Sequence, residues 1–507
     1  MQAQEYETLV WSLQSQAQEI PGVFRNKVLL ISLLAYVVLL GLLLALMFGL
    51  YFMLAAIGHG NAFFKIVFVS WVLVVAPIVW LTFRMFFMPL SVPQGRELTE
   101  HEAPQLFKTI AELQERLQGA PIHHVLITQE FNAAIAQCPR FGLFGGYRNY
   151  LILGLPLLYA VSAEEILAII AHEYGHLSGS HGKLGGWIYR QRVTFEALHT
   201  HASARRESNV INGALAGMLD WFAPYYNAYT FVLSRQNEYE ADAMAREVAG
   251  AEASASALIR VNLLTDWLHG SFWPKLYAQA AQQETPLVMP YVAMRKLLAM
   301  TMDEWATAER LKAVLKVESD VYDTHPCLSE RVSALNQRAV LPPLPKLCAA
   351  DALLGKFAPV LVREFDSEWW SGEKDKWQKY YRRYTRSQTR IAELEKQPVA
   401  ALNVSDAQEL ALLLVEFRSV SAAKYVLEEL LGRDGERYPK PVYFYGCALL
   451  DEGSASGLNY LEEAFRLSPS MGDKCAQTGY QWLCEKQNEV SAENWLARLR
   501  SMSVSAA

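Results

Sequence analysis

Apolar residues are unevenly spread along the chain. Val28 to Ile57 runs without a charged residue, and Ile66 to Phe83 forms a second apolar stretch after the polar turn Gly58-His59-Gly60-Asn61. A helix crosses a bilayer with about 20 apolar residues. Both runs therefore read as membrane spans, with Pro77 expected to kink the second and Arg84 to snorkel at its end. Arg25 and Lys27 precede the pair, Arg84 and Arg96 follow it, and only Lys65 lies in the turn. That charge bias places both ends of the hairpin in the cytoplasm. Residues 1–27, rich in Gln and Glu, read as a leader: an amphipathic helix at the membrane surface or a solvated segment.

Beyond residue 90 the pattern shortens. Thr99 and Glu102 form a capping box for a helix to Gly119, with Leu106, Ile110, Leu113 and Leu117 along one stripe. Val125–Thr128 and Tyr150–Leu153 read as strands, separated by Asn132-Ala133-Ala134 and a turn at Gly142, Gly145 and Gly146. Ser162 and Glu165 make a second capping box, and the helix they open is too apolar to lie on a surface. Trp187–Arg206 reads as a polar-aromatic helix. Asn209–Leu233 is apolar but interrupted by Asp220 and Pro224, so it reads as helices that cover the site or graze the membrane. Residues 254–318 look helical, with Trp267, Trp273 and Trp305 in the core or at an interface.

Pro342-Pro343-Leu344-Pro345 is the clearest linker. A charged helix rich in Trp, Tyr, Lys and Arg follows, and from Ser405 helical pairs recur at about 34 residues, the tetratricopeptide period. The expected architecture is mainly α: leader 1–27, transmembrane helical hairpin 28–90, an α+β domain with a small sheet 91–356, a charged helical linker 357–400, and a helical-repeat domain 401–507. Such arrays offer a groove for a protein partner.

Composition refines this picture little. The 507 residues are 52% hydrophobic with a net charge of −6, which gives no general attraction to nucleic acid. Six scattered cysteines (Cys138, Cys327, Cys348, Cys447, Cys475 and Cys484) form no C-x-x-C pair and suit a reducing compartment.

The chemistry concentrates in His172-Glu173-Tyr174-Gly175-His176. On a helix, His172 and His176 lie one turn apart on one face, a geometry that holds Zn²⁺ and leaves room for a further ligand and water. Glu173 lies beside them, suited to take a proton from that water. Downstream, Glu238 and Asp242 share a helix face. Glu238 would complete a His₂Glu site for one zinc per chain, and Asp242 would orient a ligand imidazole. A competing pattern, H-E-x-x-H-x-x-G-x-x-H, would put its third histidine at position 182, which is Gly182; Glu238 is preferred, and His181, one residue early, stays a candidate beside the substrate or behind the ligands.

These motifs together resemble the membrane-associated zinc metallopeptidases of the HtpX and CAAX-prenyl-protease type. Asp323-Thr324-His325-Pro326 through Glu330-Arg331-Val332 is similar to the family's later His-Pro segment and the Arg-bearing helix after it. Asn132-Ala133 and the strand before the active-site helix match as well. The resemblance, over about residues 95–355, implies a zincin-like peptidase domain in which His325 stabilises the transition state. It also implies an edge strand that holds substrate through its backbone, from residues 132–134 (Asn132, Ala133) or 150–154. The expected function is a zinc endopeptidase of a bacterial inner membrane, its catalytic domain facing the cytoplasm, acting on membrane or membrane-adjacent proteins. The prenyl-protease specialisation is disfavoured by the two evident spans. The rival reading is a membrane-tethered adaptor or chaperone in which the repeats bind partners and the peptidase fold is a scaffold. The full ligand set and Glu173 argue against it.

Overall fold

The computed structural model describes residues 3–57, 92–139, 146–177, 181–320, 323–435 and 437–504, with positions 69, 72–73, 75–81 and 83 in between. The chain divides into two compact units, the first of residues 1–274 and 288–370, the second of 275–287 and 371–507.

In the first unit, helix α1 (Ala3–Glu19) is followed by α2 (Pro21–Ile57). The N-terminal segment is an amphipathic helix rather than a solvated leader, and its apolar stripe packs on protein. Val10, Leu13 and Ala17, spaced as one helix stripe, are buried together with Phe24, Phe231 and Val232. Along α2, Leu30, Leu34, Val37, Leu44, Phe48 and Tyr51 are exposed. Searched over the described residues alone, no helix is long and apolar enough to cross a membrane. The hairpin expected at 28–90 lies partly outside those residues, including its turn.

A four-stranded sheet follows, in the order β1-β2-β4-β3. β1 (Arg96–Glu97) pairs antiparallel with β2 (His124–Thr128), β2 pairs parallel with β4 (Tyr147–Gly154), and β4 pairs antiparallel with β3 (Ala133–Pro139). β4 is flanked on both sides, so residues 150–154 do not offer a free backbone, whereas β3 is an edge strand among the described residues. The glycine turn expected between β3 and β4 falls largely outside the described residues.

Helix α3 (Pro104–Leu117) starts later than expected. The Glu102 carboxylate accepts the Thr99 N–H at 2.9 Å, but Pro104 stands at the first turn and Ala103 at the cap. Proline is favoured there because its missing N–H would be unpaired in any case. The expected stripe of Leu106, Ile110 and Leu113 is buried.

β4 runs directly into α4 (Leu155–Ala160), then α5 (Ala163–Leu177) and α6 (His181–Ser203). The segment expected to break at Asp220 and Pro224 is one helix, α7 (Val210–Ala249). The Asn209 side chain caps it, accepting the Asn212 N–H at 2.8 Å, and Gly250 ends it at φ +90°. Asp220 is held outside by Arg206 at 2.9 Å and His199 at 2.7 Å. Pro224 removes one backbone hydrogen bond from the helix interior, and packing of Leu215, Leu219 and Tyr226 with Phe195, Leu198, Ala35 and Ile78 holds the helix together across it. Helix α8 (Ala251–Trp267) and the short α9 (Leu328–Ala334) complete the surroundings of the site.

The second unit is helical. After Ala358–Leu394, which continues the chain out of the first unit, come helices Val404–Phe417, Val420–Gly432, Pro439–Asp451, Gly457–Leu467, Gly472–Lys486 and Glu489–Val504. Gly446 and Gly457 let two of them approach closely: a Cβ on Gly457 would lie 2.4 Å from the Gly446 carbonyl oxygen.

At the β4–α4 joint, a Cβ on Gly154 would lie 1.8 Å from the Glu130 carbonyl oxygen, while the Gly154 N–H donates to Asn132 O at 2.7 Å. Gly154→Ala is predicted to lower stability by at least the 1–3 kcal/mol of a typical overpacking substitution, about that scale. Thermal unfolding followed by tryptophan fluorescence checks this; an unchanged midpoint contradicts the packing.

Candidate metal centre

Helix α5 carries His172, Glu173 and His176, and its start is fixed as the sequence suggests. The Glu165 carboxylate accepts the Ser162 N–H at 2.8 Å and the Ser162 hydroxyl accepts the Glu165 N–H at 3.2 Å. Glu165 also forms a buried ion pair with Arg260 of α8 at 3.0 Å. Farther along, Tyr174 is fully buried and donates its hydroxyl to Ala120 O.

α7 crosses α5 at Gly175. A Cβ there would meet the Ala241 Cα at 2.9 Å, so the two backbones approach as closely as glycine permits. The crossing brings Glu238 against both histidines. Its Oε2 lies 3.6 Å from His172 Nε2, its Oε1 lies 3.4 Å from His176 Nε2, and the two imidazole Nε2 atoms are 3.2 Å apart. These three residues form the group among the described residues whose donor atoms converge as metal ligands.

The donor set fits zinc. Nitrogen and oxygen ligands at about 2.0–2.1 Å in a tetrahedron stand about 3.3–3.4 Å apart. Glu238 is buried, and its Oε2 has no hydrogen-bond partner. Its nearest cation is Arg331, whose Nη1 stands 3.7 Å away, beyond hydrogen-bond reach, which leaves the oxygen's lone pairs open to a metal ion.

Asp242, one turn beyond Glu238, lies 2.9 Å from His172 Nδ1. A proton on Nδ1 shared with Asp242 leaves Nε2 as the ligand atom. Arg331 of α9 donates twice to Asp242, Nε to Oδ2 at 2.9 Å and Nη2 to Oδ1 at 2.7 Å, and comes within 3.4 Å of the His172 ring. Burial works against both carboxylates. Hydrogen bonds from Arg331 and His172 nonetheless hold Asp242 below its ordinary range, and the nearby His172 imidazole and the Arg331 charge do so for Glu238. Burial pushes Glu173 the other way, to about 7, with His172 opposing and Glu238 adding to the rise. A carboxyl titrating near neutrality is well matched to general base work.

His325 precedes α9 and is exposed, with its Nε2 3.7 Å from Glu238 Oε1 and its Nδ1 3.4 Å from Asp323. A cleft of about 260 Å³ joins His172, Glu173, His325 and Arg331 to Asn132 and Ala133 at the start of β3. The Ile135 main chain hydrogen-bonds to Glu173, so the edge strand passes directly beside it. His181 lies on the backbone of α6, and its side chain is outside the described residues.

Residues 141–339, which contain every site residue from His172 to Arg331, match the model of peptidase family M48. That segment is similar to the family's peptidase domain. It is also similar to the protease HtpX of Acinetobacter baylyi (strain ATCC 33305 / BD413 / ADP1) and of Acinetobacter baumannii (strain AYE). Each is 23% identical over 274 residues, spanning 48% of this chain and 76% of the relative. The M48 match and the HtpX relatives support a metalloprotease.

The Arg331–Asp242 fork is the feature that sequence reasoning did not assign. The arginine stands in the segment after His325, but nothing in local spacing ties it to a carboxylate 89 residues earlier.

If the ligand set is His₂Glu, Glu238→Ala removes zinc and His181→Ala leaves it in place. Asp242→Ala and Arg331→Met each lower zinc affinity by about 10- to 100-fold, since both act through His172. Metal stoichiometry on the four purified variants decides this; loss of zinc in His181→Ala with retention in Glu238→Ala overturns it.

Proposed function

We propose that this protein is a membrane-anchored zinc endopeptidase that cuts peptide bonds of membrane or membrane-adjacent proteins, in quality control or processing. The observation that carries the reading is the convergence of His172, His176 and the Glu238 carboxylate, their donor atoms 3.2 to 3.6 Å apart, with Glu173 alongside. One Zn²⁺ per chain, when bound, supplies Lewis acidity toward water and the scissile carbonyl. Glu173 takes the proton of the attacking water and hands it to the leaving amine. Asp242, braced by Arg331, keeps the His172 ring in orientation. His325, on the open side of the cleft, donates to the oxyanion from Nε2. The β3 edge from Asn132 and Ala133 onward holds an extended substrate through main-chain hydrogen bonds, which read backbone rather than side chains.

Membrane anchoring is supported by the 30 charge-free residues of Val28–Ile57 and by the exposed Leu, Val and Phe side chains along α2, a surface suited to lipid rather than water. Arg25 and Lys27 on one flank and Arg84 and Arg96 on the other place both ends, and with them the catalytic domain, on the cytoplasmic side of a bacterial inner membrane. The successive C-terminal helices, read as tetratricopeptide-like, serve as a surface for protein substrates or partners.

Two measurements test these assignments. Glu173→Gln is expected to keep its zinc yet lose at least about 100- to 10,000-fold in peptide cleavage, the usual contribution of a general base; a variant that still cleaves at the native rate removes Glu173 from the reaction. A cysteine placed at Asn61 is expected to react with an impermeant thiol reagent added outside the cell, and one at Gln2 to be protected; the opposite pattern reverses the topology.

A further inference from the structure

The cleft at the metal centre continues past the groups already assigned. From Asn132, His172 and Glu173 it runs toward the start of α5, where Leu157 of α4 and Ala168 and Ile169 of α5 line one wall. The other wall is α8, through Ser254, Ala257, Leu258, Val261 and Asn262. Those five positions recur at helical spacing and so form one face of α8. The buried Glu165–Arg260 pair, at 3.0 Å, ties α5 to α8 and so holds the two walls together.

The polar groups of this extension are already engaged. Ser254 Oγ donates to Gly250 O at 2.8 Å, and Asn262 Nδ2 donates to Leu258 O at 2.9 Å. Arg331 is committed to Asp242 at 2.7 Å. Apart from His172, Glu173 and His325, no described lining residue offers a charge free to meet a guest. A charged side chain entering here loses its water without gaining a partner. The apolar surface is different. Ala168, Ser254 and Ala257 are small, which makes room between the helices. Ile169, Leu258 and Val261 are half-buried, so they keep surface that an apolar group can cover.

A substrate held along β3 as an added strand points alternate side chains the same way, and pockets for those side chains give the selectivity that backbone pairing lacks. The cleft joins the start of β3 and Glu173 to the α8 face without interruption. A bond placed at Glu173 therefore sets a neighbouring side chain against α8.

We propose that the α8 face is the specificity pocket of the peptidase: it takes one large, uncharged apolar side chain, such as Leu, Met or Phe, from a residue beside the scissile bond, and Ala257 and Val261 set the size accepted. The inference rests on the peptidase reading above and names the substrate class of that site.

The test uses the full chain in detergent, loaded with zinc, and fluorogenic peptides identical except at one residue flanking the scissile bond. That residue is Ala, Leu, Phe, Glu or Lys, first on one side of the bond and then on the other. The wild type is expected to favour Leu or Phe over Ala by at least about tenfold in kcat/KM on one side, with Glu and Lys below Ala. Ala257→Leu, which fills the pocket, is expected to cleave the Ala peptide near the wild-type rate and to lose at least about tenfold on the Phe peptide. Val261→Ala, which enlarges the pocket without overpacking it, is expected to raise Phe relative to Leu. A flat wild-type profile on both sides overturns the proposal without needing any variant to fold, and so does a profile that neither variant changes. Anisotropy of the same peptides on the Glu173→Gln protein reads the preference without turnover. Absence of cleavage by the wild type alongside apolar-selective binding that Ala257→Leu abolishes counts against the peptidase reading and not against the pocket.

Discussion

The site depends on the close crossing of α5 and α7 at Gly175 and Ala241. Two helices normally pass at 8–10 Å between axes, about the distance that side chains impose. Here the absence of a side chain at Gly175, with Ala241 opposite, lets the backbones approach so that any Cβ would press on the Ala241 Cα. At that separation Glu238 reaches both imidazoles with its carboxylate buried. The helix is also held from its other side, where Gly119 makes room for the Tyr174 ring and Ala120 accepts its hydroxyl. Behind it, the buried Glu165–Arg260 pair fixes the first turn. The metal ligands are thus set by packing before any metal arrives, which limits the reorganisation that binding requires.

Charge follows from the same arrangement. Glu238 and Asp242 are both buried, and Arg331 is the cation that faces them. Two carboxylates face one guanidinium, and against burial they raise the His172 imidazole to about 9, so a bound dication takes over the charge that the imidazolium otherwise supplies. Arg331 also couples the segment bearing His325 to the metal face of α7, since α9 follows that histidine directly. His325, the His172 ring and the Glu238 carboxylate are thereby joined in one contact network.

Much of this was legible in the sequence, because it rests on helical periodicity. The one-turn spacing of His172 and His176, the shared face of Glu238 and Asp242 and the Ser162–Glu165 box are local patterns that the helix converts directly into geometry. The family resemblance placed His325. What was not legible depends on contacts distant in sequence. The Arg331 fork joins separate helices. The continuity of α7 through Pro224 comes from packing on both sides of the proline, which overrides local propensity. Which of two segments forms the sheet edge is a matter of pairing order, invisible to strand propensity, and β4 proved to be enclosed between β2 and β3. The N-terminal helix looked amphipathic, as it is, but its apolar stripe turned out to have a protein partner in α7.

The crossing of α5 and α7 brings together two imidazoles and one carboxylate that would hold one zinc. X-ray absorption at the zinc edge of the purified protein measures it most directly. The account predicts one zinc per chain with light-atom ligands at about 2.0–2.1 Å, imidazole scattering from two histidines and no sulfur. A sulfur shell at about 2.3 Å, or scattering that requires a third imidazole, would contradict it.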